Sequence, residues 1–213
     1  MRLHYRFGEV LGLILLTLAV QLAAPDTDVA RFVAIVLQGG TLIAAVYVSR
    51  AHRWVIRGAV IASAVLVAGG AAAVLGNHEL GEESGRVVNL LLVGLAPPAI
   101  VAGLRQHFRI EGRITVQTMF GVLCLYLLIG IFFGTCFGAI DAVDHDFFAN
   151  KAGETSDFLY FSFATLTTVG YGDLIAATNL GRSLAITEAL IGQIYLVTVV
   201  AVIVGNLRPR TAA

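Results

Sequence analysis

Apolar residues fall into six long stretches along the chain, at roughly 8–24, 30–49, 56–75, 86–104, 114–140 and 181–207. Each approaches or exceeds the ~20 residues that a helix needs to cross about 30 Å of hydrocarbon. Between the fifth and sixth lies a partly apolar segment, 157–167, too short to span. The pattern predicts an all-α membrane protein with six transmembrane helices and one short helix between the last two. Composition agrees: 58% of residues are hydrophobic and 13% charged, with a mean hydropathy of +0.86. No soluble domain of this size needs so much apolar surface. Arg2 and Arg6 before an apolar run also fit a cleavable signal peptide, but a retained first span suits the topology below better.

The polar connections sort by charge. Arg2, Arg6, Arg50, Arg53, Arg57, Arg105, Arg109, Arg113, Arg208 and Arg210 fall on one side, which is ten of the fourteen basic residues. Arg31, Arg86, Lys151 and Arg182 fall on the other. The positive-inside rule makes the first side cytoplasmic, with both termini inside. The acids Asp26, Asp28, Glu79, Glu82, Glu83, Asp141, Asp144, Asp146, Glu154, Asp157 and Asp173 lie on the outer side. They either solvate outer loops or form a negative vestibule that concentrates cations. The formal net charge is zero, which offers no argument for a nucleic-acid partner. Cys124 and Cys136 sit in one predicted helix, ~18 Å apart at 1.5 Å per residue, too far to pair.

The short segment leads into Thr167-Thr168-Val169-Gly170-Tyr171-Gly172-Asp173. A dehydrated cation needs replacement oxygens. Backbone carbonyls supply them if alternate residues adopt conformations that glycine tolerates. This stretch resembles the selectivity filter of tetrameric potassium channels, and it lies between two apolar spans on the outer side, where a re-entrant pore loop belongs. The resemblance implies that K+ meets the carbonyls of Thr168, Val169, Gly170 and Tyr171 and the Thr168 hydroxyl, with Gly172 completing the filter. Residues 111–213 would then be a pore domain, with outer helix 114–140, pore helix 157–167, filter 168–172 and inner helix 181–207. Ser156 or Asp157 is expected to cap the pore helix. Its C-terminus would offer partial negative charge to an ion. Thr167 would support the filter and Asp173 would stand at its exit. Tyr160 and Phe161 stand where the family places aromatics around the filter tyrosine. The usual tryptophan pair is absent, and Ala164 offers no carboxylate to Asp173, which leaves open how Asp173 is held.

In the last span, Gly192 lies twenty residues past Gly172, at the position of a hinge glycine in the family. Close helix packing is the other reading. Glu188 is the one acid deep inside an apolar span, Glu9 standing at the edge of the first, and at that depth it demands a partner or a cavity. It is expected to tie the inner helix to the back of the filter, with a protonated or cavity-lining state as alternatives. Gln193 lines the pore or bonds across helices.

The first four spans, within 1–110, share only their number with voltage-gated-like channels. The fourth carries Arg86 at its outer edge and no charge in its middle, so it is not a voltage sensor. Pro97-Pro98 should kink or end it. Gly69, Gly70, Ala71, Ala72 and Ala73 favour close packing in the third. These helices read as a peripheral bundle in contact with lipid. The filter motif occurs once, so the resemblance implies a homotetramer in a plasma membrane, compatible with a bacterial inner membrane. The six residues after Leu207 leave any regulatory domain to another subunit. No cofactor is expected beyond K+ as permeant ion.

Three other functions compete. A membrane metalloprotease would use His78-Glu79-Leu80-Gly81-Glu82, but Glu82 stands where a second histidine is needed. No G-x-S-x-G, Walker loop or Cys-x-x-Cys occurs, so no enzyme is expected. A potassium-transport subunit would carry four pore loops in a much longer chain. A non-selective cation channel is the nearest alternative, against which the intact Val169 and Tyr171-Gly172 argue.

Overall fold

The computed structural model describes residues 7–23, 28–48, 115–144 and 147–207, with parts of 57–68 and 93–105. The named elements are α1 (Phe7–Ala23), α2 (Asp28–Val48), α3 (Val116–Asp144), α4 (Thr155–Leu166) and α5 (Asn179–Leu207). Two of their segments are long and apolar enough to cross a membrane, Val116–Val143 and Asn179–Val202. Two shorter apolar helical stretches are Phe7–Ala23 and Phe32–Val48. The third predicted span and the first half of the fourth lie largely outside the described residues, as does His78-Glu79. Residues 96–98 and 100–102 are both helical; Ala99 between them lies outside the described residues.

Three boundaries differ from the sequence pattern, each for a local reason. α3 runs on to Asp144, because Asp141 turns its carboxylate to the loop and accepts the Phe147 N–H at 3.0 Å. α4 begins at Thr155 with Glu154 as N-cap, so neither Ser156 nor Asp157 is the cap. Asp157 sits one turn in and reaches back, its Oδ2 accepting the Glu154 N–H at 3.0 Å. That satisfies a donor the helix cannot use. α5 starts at Asn179 because Thr178 Oγ1 accepts the Gly181 N–H at 3.1 Å, as an N-cap threonine does.

α3 is the central element. On one side it packs against α1, where Phe7, Val10 and Ile14 are fully buried with Cys124, Leu125 and Leu128. Cys124 Sγ lies 3.7 Å from the Phe7 carbonyl, which it can satisfy weakly; both cysteines are free thiols. α1 meets α2 through apolar packing and a threonine pair, Thr17 and Thr41, with hydroxyls 3.3 Å apart. Such a pair gives two apolar helices a directional contact that lipid cannot supply.

On its other side α3 holds α4 and α5. Phe133 and Phe137 of α3 join Phe147, Phe148, Phe158 and Ala176 in a second buried cluster. Phe148 and Phe158 stack at 5.2 Å with 16° between planes, and Phe147 meets Phe137 at 5.1 Å. The outer loop is thus anchored by aromatic side chains. Residues 147–149 also pair antiparallel with 175–177: Ala149 donates to the Ile175 carbonyl at 2.9 Å and Ala177 to Phe147 at 2.8 Å. Arg182 Nε donates to the Ala176 carbonyl at 3.0 Å.

Close approach of α4 to α3 depends on Gly134. A Cβ there would lie 2.9 Å from Leu159 Cδ2 and 3.3 Å from both Leu159 Cα and the Phe158 carbonyl oxygen. The last two are backbone and cannot rotate away. Gly134→Val should therefore destabilise the protein by about 1–3 kcal/mol, the usual range for overpacking. Thermal unfolding in detergent measures this; an unchanged midpoint would contradict the α3–α4 contact.

Candidate functional site

The stretch Thr167–Asp173 begins where α4 ends. An α-helix leaves its last four carbonyls without intrahelical donors. Here three of the four are taken up by the chain that follows. Thr167 donates its N–H to the Phe163 carbonyl at 3.0 Å, and Thr168 donates to Thr165 at 2.9 Å. Val169 and Gly170 both donate to the Ala164 carbonyl, at 2.9 and 3.1 Å. The Leu166 carbonyl accepts from the Tyr126 hydroxyl of α3 at 3.3 Å.

The backbone alternates in hand. Thr168, Gly170 and Gly172 have φ of +60°, +54° and +80°, while Val169 and Tyr171 keep negative φ. Alternating left- and right-handed residues turn successive N–H groups to one side, forming a cup for an electronegative atom. The Ala164 carbonyl oxygen fills that cup. The same alternation turns the carbonyls the other way. The carbonyl oxygens of Thr168, Val169, Gly170 and Tyr171 accept no hydrogen bond among the described residues. Thr168 is the one non-glycine described residue at positive φ. For a β-branched residue that conformation is a genuine outlier, costing about 1–3 kcal/mol, of the kind found at functional sites.

The aromatics flanking the strand separate. Tyr160 stacks on Tyr171, with ring centroids 6.0 Å apart and planes 8° from parallel. Phe161, one residue on and therefore about 100° around the helix, faces α3 and the outer loop. It lies 5.2 Å from Phe137 and 5.5 Å from Phe148. Within the chain, and among the described residues, Tyr160 is the ring against Tyr171 and Phe161 makes no ring contact with it.

The support of Asp173, open in the sequence, is visible in the structure. Tyr160 donates its hydroxyl to Asp173 Oδ2 at 2.9 Å, and Asn150 Nδ2 donates to the Asp173 carbonyl. That bond to a carboxylate raises the Tyr160 phenol above its ordinary value. Lys151 pairs with Asp157 at 2.7 Å, and the hydrogen bond it donates to that carboxylate raises the ammonium likewise. A raised lysine contributes at neutral pH and loses its contribution as pH rises through that value. Asp141 and Asp157 are therefore engaged in bracing the loop. Asp146 lies outside the described residues.

Behind the strand, α5 approaches the end of α4 at Gly192. A Cβ there would lie 2.7 Å from the Leu166 carbonyl oxygen, so close helix packing requires the glycine. One turn earlier, Glu188 is completely buried, with Oε1 2.5 Å from Ser162 Oγ of α4. Gln193 is exposed. Tyr126 and Tyr195, which sequence reasoning passed over, stack at 5.7 Å, and Tyr195 donates to the Val122 carbonyl of α3 at 2.5 Å. Their only signal was two polar-tipped aromatics inside apolar spans.

Much of this unit has no covering. Val169 is 52% exposed and Tyr171 70%. In the apolar segment of α5 only 11% of the most hydropathic window is buried, with Ile186, Leu190, Ile194 and Val197 all exposed. No group of three or more metal-binding side chains occurs among the described residues.

Residues 121–208 match the family model described as an ion channel. The matched stretch begins within α3 and takes in α4, the strand and α5. It points to an ion channel and not to an enzyme, and with the two long apolar helices it indicates a membrane protein. No curated protein and no solved structure matches the chain.

The Tyr160–Asp173 contact predicts a non-additive mutant cycle. Tyr160→Phe and Asp173→Asn should each lower the thermal midpoint in detergent, and the double variant should lose less than their sum. Strict additivity would show that the two side chains do not interact.

Proposed function

We propose that the chain forms a homotetrameric, potassium-selective channel, with the strand Thr168–Gly172 as its filter. The observation that carries this reading is the one-sided use of the strand's backbone. Its first three N–H groups are bound by the carbonyls of α4, and its carbonyls at 168–171 have no donor among the described residues. A row of free carbonyl oxygens can replace the water shell of a dehydrated cation. The Thr168 hydroxyl would add an oxygen at the inner end, and Asp173 a charge at the outer mouth.

One strand cannot enclose an ion, so four copies would be arranged around an axis. The exposed faces of Val169, Tyr171 and α5 supply apolar surface for such an assembly and for lipid. In this reading α3 is the outer helix, α4 the pore helix and α5 the inner helix. With the charge bias of the loops, the chain would cross a plasma membrane six times with both termini cytoplasmic.

Purified protein in planar bilayers with asymmetric K+ and Na+ should reverse near the K+ equilibrium potential. Reversal at a potential set by equal permeabilities would leave a non-selective cation channel instead. Gly170→Ala places a Cβ on a left-handed residue at a cost of about 1–2 kcal/mol. It should abolish selective conduction in the same bilayers; retained selectivity would remove the filter assignment. The uncharged middle of the fourth span predicts weak voltage dependence, since a steep response needs several charges at about 2.3 kcal/mol each per 100 mV. Current–voltage families over the physiological range would expose a steep response if one exists.

A further inference from the structure

The contact between Glu188 and Ser162 carries a conclusion about a proton. Ser162 Oγ lies 2.5 Å from Glu188 Oε1 on α5 and 2.7 Å from the Gly130 carbonyl oxygen on α3. Both Ser162 and Glu188 are fully buried. A serine hydroxyl owns one hydrogen. If Glu188 were ionised, that hydrogen would face two acceptors, and one short contact would be oxygen against oxygen with nothing between. If Glu188 carries its proton, both contacts are hydrogen bonds: Glu188 donates to Ser162, and Ser162 donates to Gly130.

The surroundings favour the same assignment. Glu188 Oε2 is buried with no hydrogen-bond partner among the described residues. No basic side chain is paired with Glu188 among the described residues; the titratable groups near it are Tyr126 and Cys136 of α3, and neither is cationic in any ordinary state. An ionised carboxylate with one bare oxygen and no counter-charge is among the costliest buried groups. A neutral acid leaves only a carbonyl oxygen without a donor.

We propose that Glu188 is a neutral hydrogen-bond donor heading a relay, Glu188 to Ser162 to the Gly130 carbonyl, that latches α5, α4 and α3 together behind the strand. It is a positioning residue: it touches no ion and acts through α4. The relay crosses three helices, at a level where α4 has no other side-chain hydrogen bond to α5 among the described residues. It also depends on α4 lying close to Gly130, where a Cβ would sit 2.7 Å from Phe163 Cζ. The effect on selectivity rests on the channel reading above; the position of the proton does not.

Infrared difference spectra of the purified protein, wild type minus Glu188→Gln, test the proton directly. A protonated-acid carbonyl band should be present, and Ser162→Ala should shift it to higher frequency as the acid loses its acceptor. Carboxylate bands in its place would overturn the proposal, as would an acid band unmoved by Ser162→Ala. Glutamine also donates to Ser162, so Glu188→Gln should keep wild-type thermal stability and ion selectivity. Glu188→Ala should raise the unfolding constant in detergent by about three- to twentyfold, the range for one interhelical hydrogen bond in a membrane. A Glu188→Gln variant as impaired as Glu188→Ala would mean that charge is required, and would overturn it. If Glu188→Ala does not fold, the infrared bands and the Gln variant decide. If no variant conducts, the channel reading fails while the infrared result still settles the proton.

Discussion

The carbonyl oxygen of Ala164 accepts two consecutive N–H groups, from Val169 and Gly170, and the geometry of the site depends on this contact. A helix end needs donors, and a strand with alternating hand offers several on one face. Joining the two satisfies the end of α4 and, in the same act, leaves the strand's opposite face with acceptors alone. The left-handed Thr168 is held against its own preference by this arrangement, since its N–H is fixed on Thr165 and the next two on Ala164. Strain in a β-branched residue persists only where neighbours over-determine it.

Such a contact is only as rigid as α4. Three devices hold that short helix from behind. Gly134 and Gly192 let α3 and α5 come within backbone contact of it. Tyr126 caps the Leu166 carbonyl. Ser162 bridges to both neighbouring helices. At the other end, Asp157 closes the first turn while Lys151 holds Asp157. The outer loop is not a passive tether: its two phenylalanines are buried against α3 and α4, and its backbone pairs with residues 175–177. The exit of the strand is thereby clamped to the same scaffold as its entrance.

The strand and its two flanking helices were legible in the sequence because their signals are strong and local. Gly170 and Gly172 mark positive φ, and two long apolar runs mark α3 and α5. The partner of Asp173 was not legible. Tyr160 was expected to serve as a ring behind Tyr171; that its hydroxyl also reaches the carboxylate depends on the pitch of α4 relative to the strand, which no spacing rule supplies. Phe161 points elsewhere within the chain, because adjacent residues on a helix point about 100° apart. Phe147 and Phe148 were hidden among the acids of a loop that read as polar. The aromatic cluster that receives them forms only when α3, α4 and that loop meet.

The peripheral helices bear on the site through a restricted set of contacts. Among the described residues, α1 packs on α2, α3 and α4, and α5 packs on α3 and α4. α3 and α4 therefore link α1 and α2 to α5. Interiors packed this tightly transmit shifts as rigid steps rather than absorbing them. α3 is the element best placed to do so. It carries Cys124 against the Phe7 carbonyl on one face and Gly130, Gly134 and Tyr126 against α4 on the other. α3 packs on α1 and on α4 alike, so the position in which α1 holds α3 bears on how closely α4 can hold the strand.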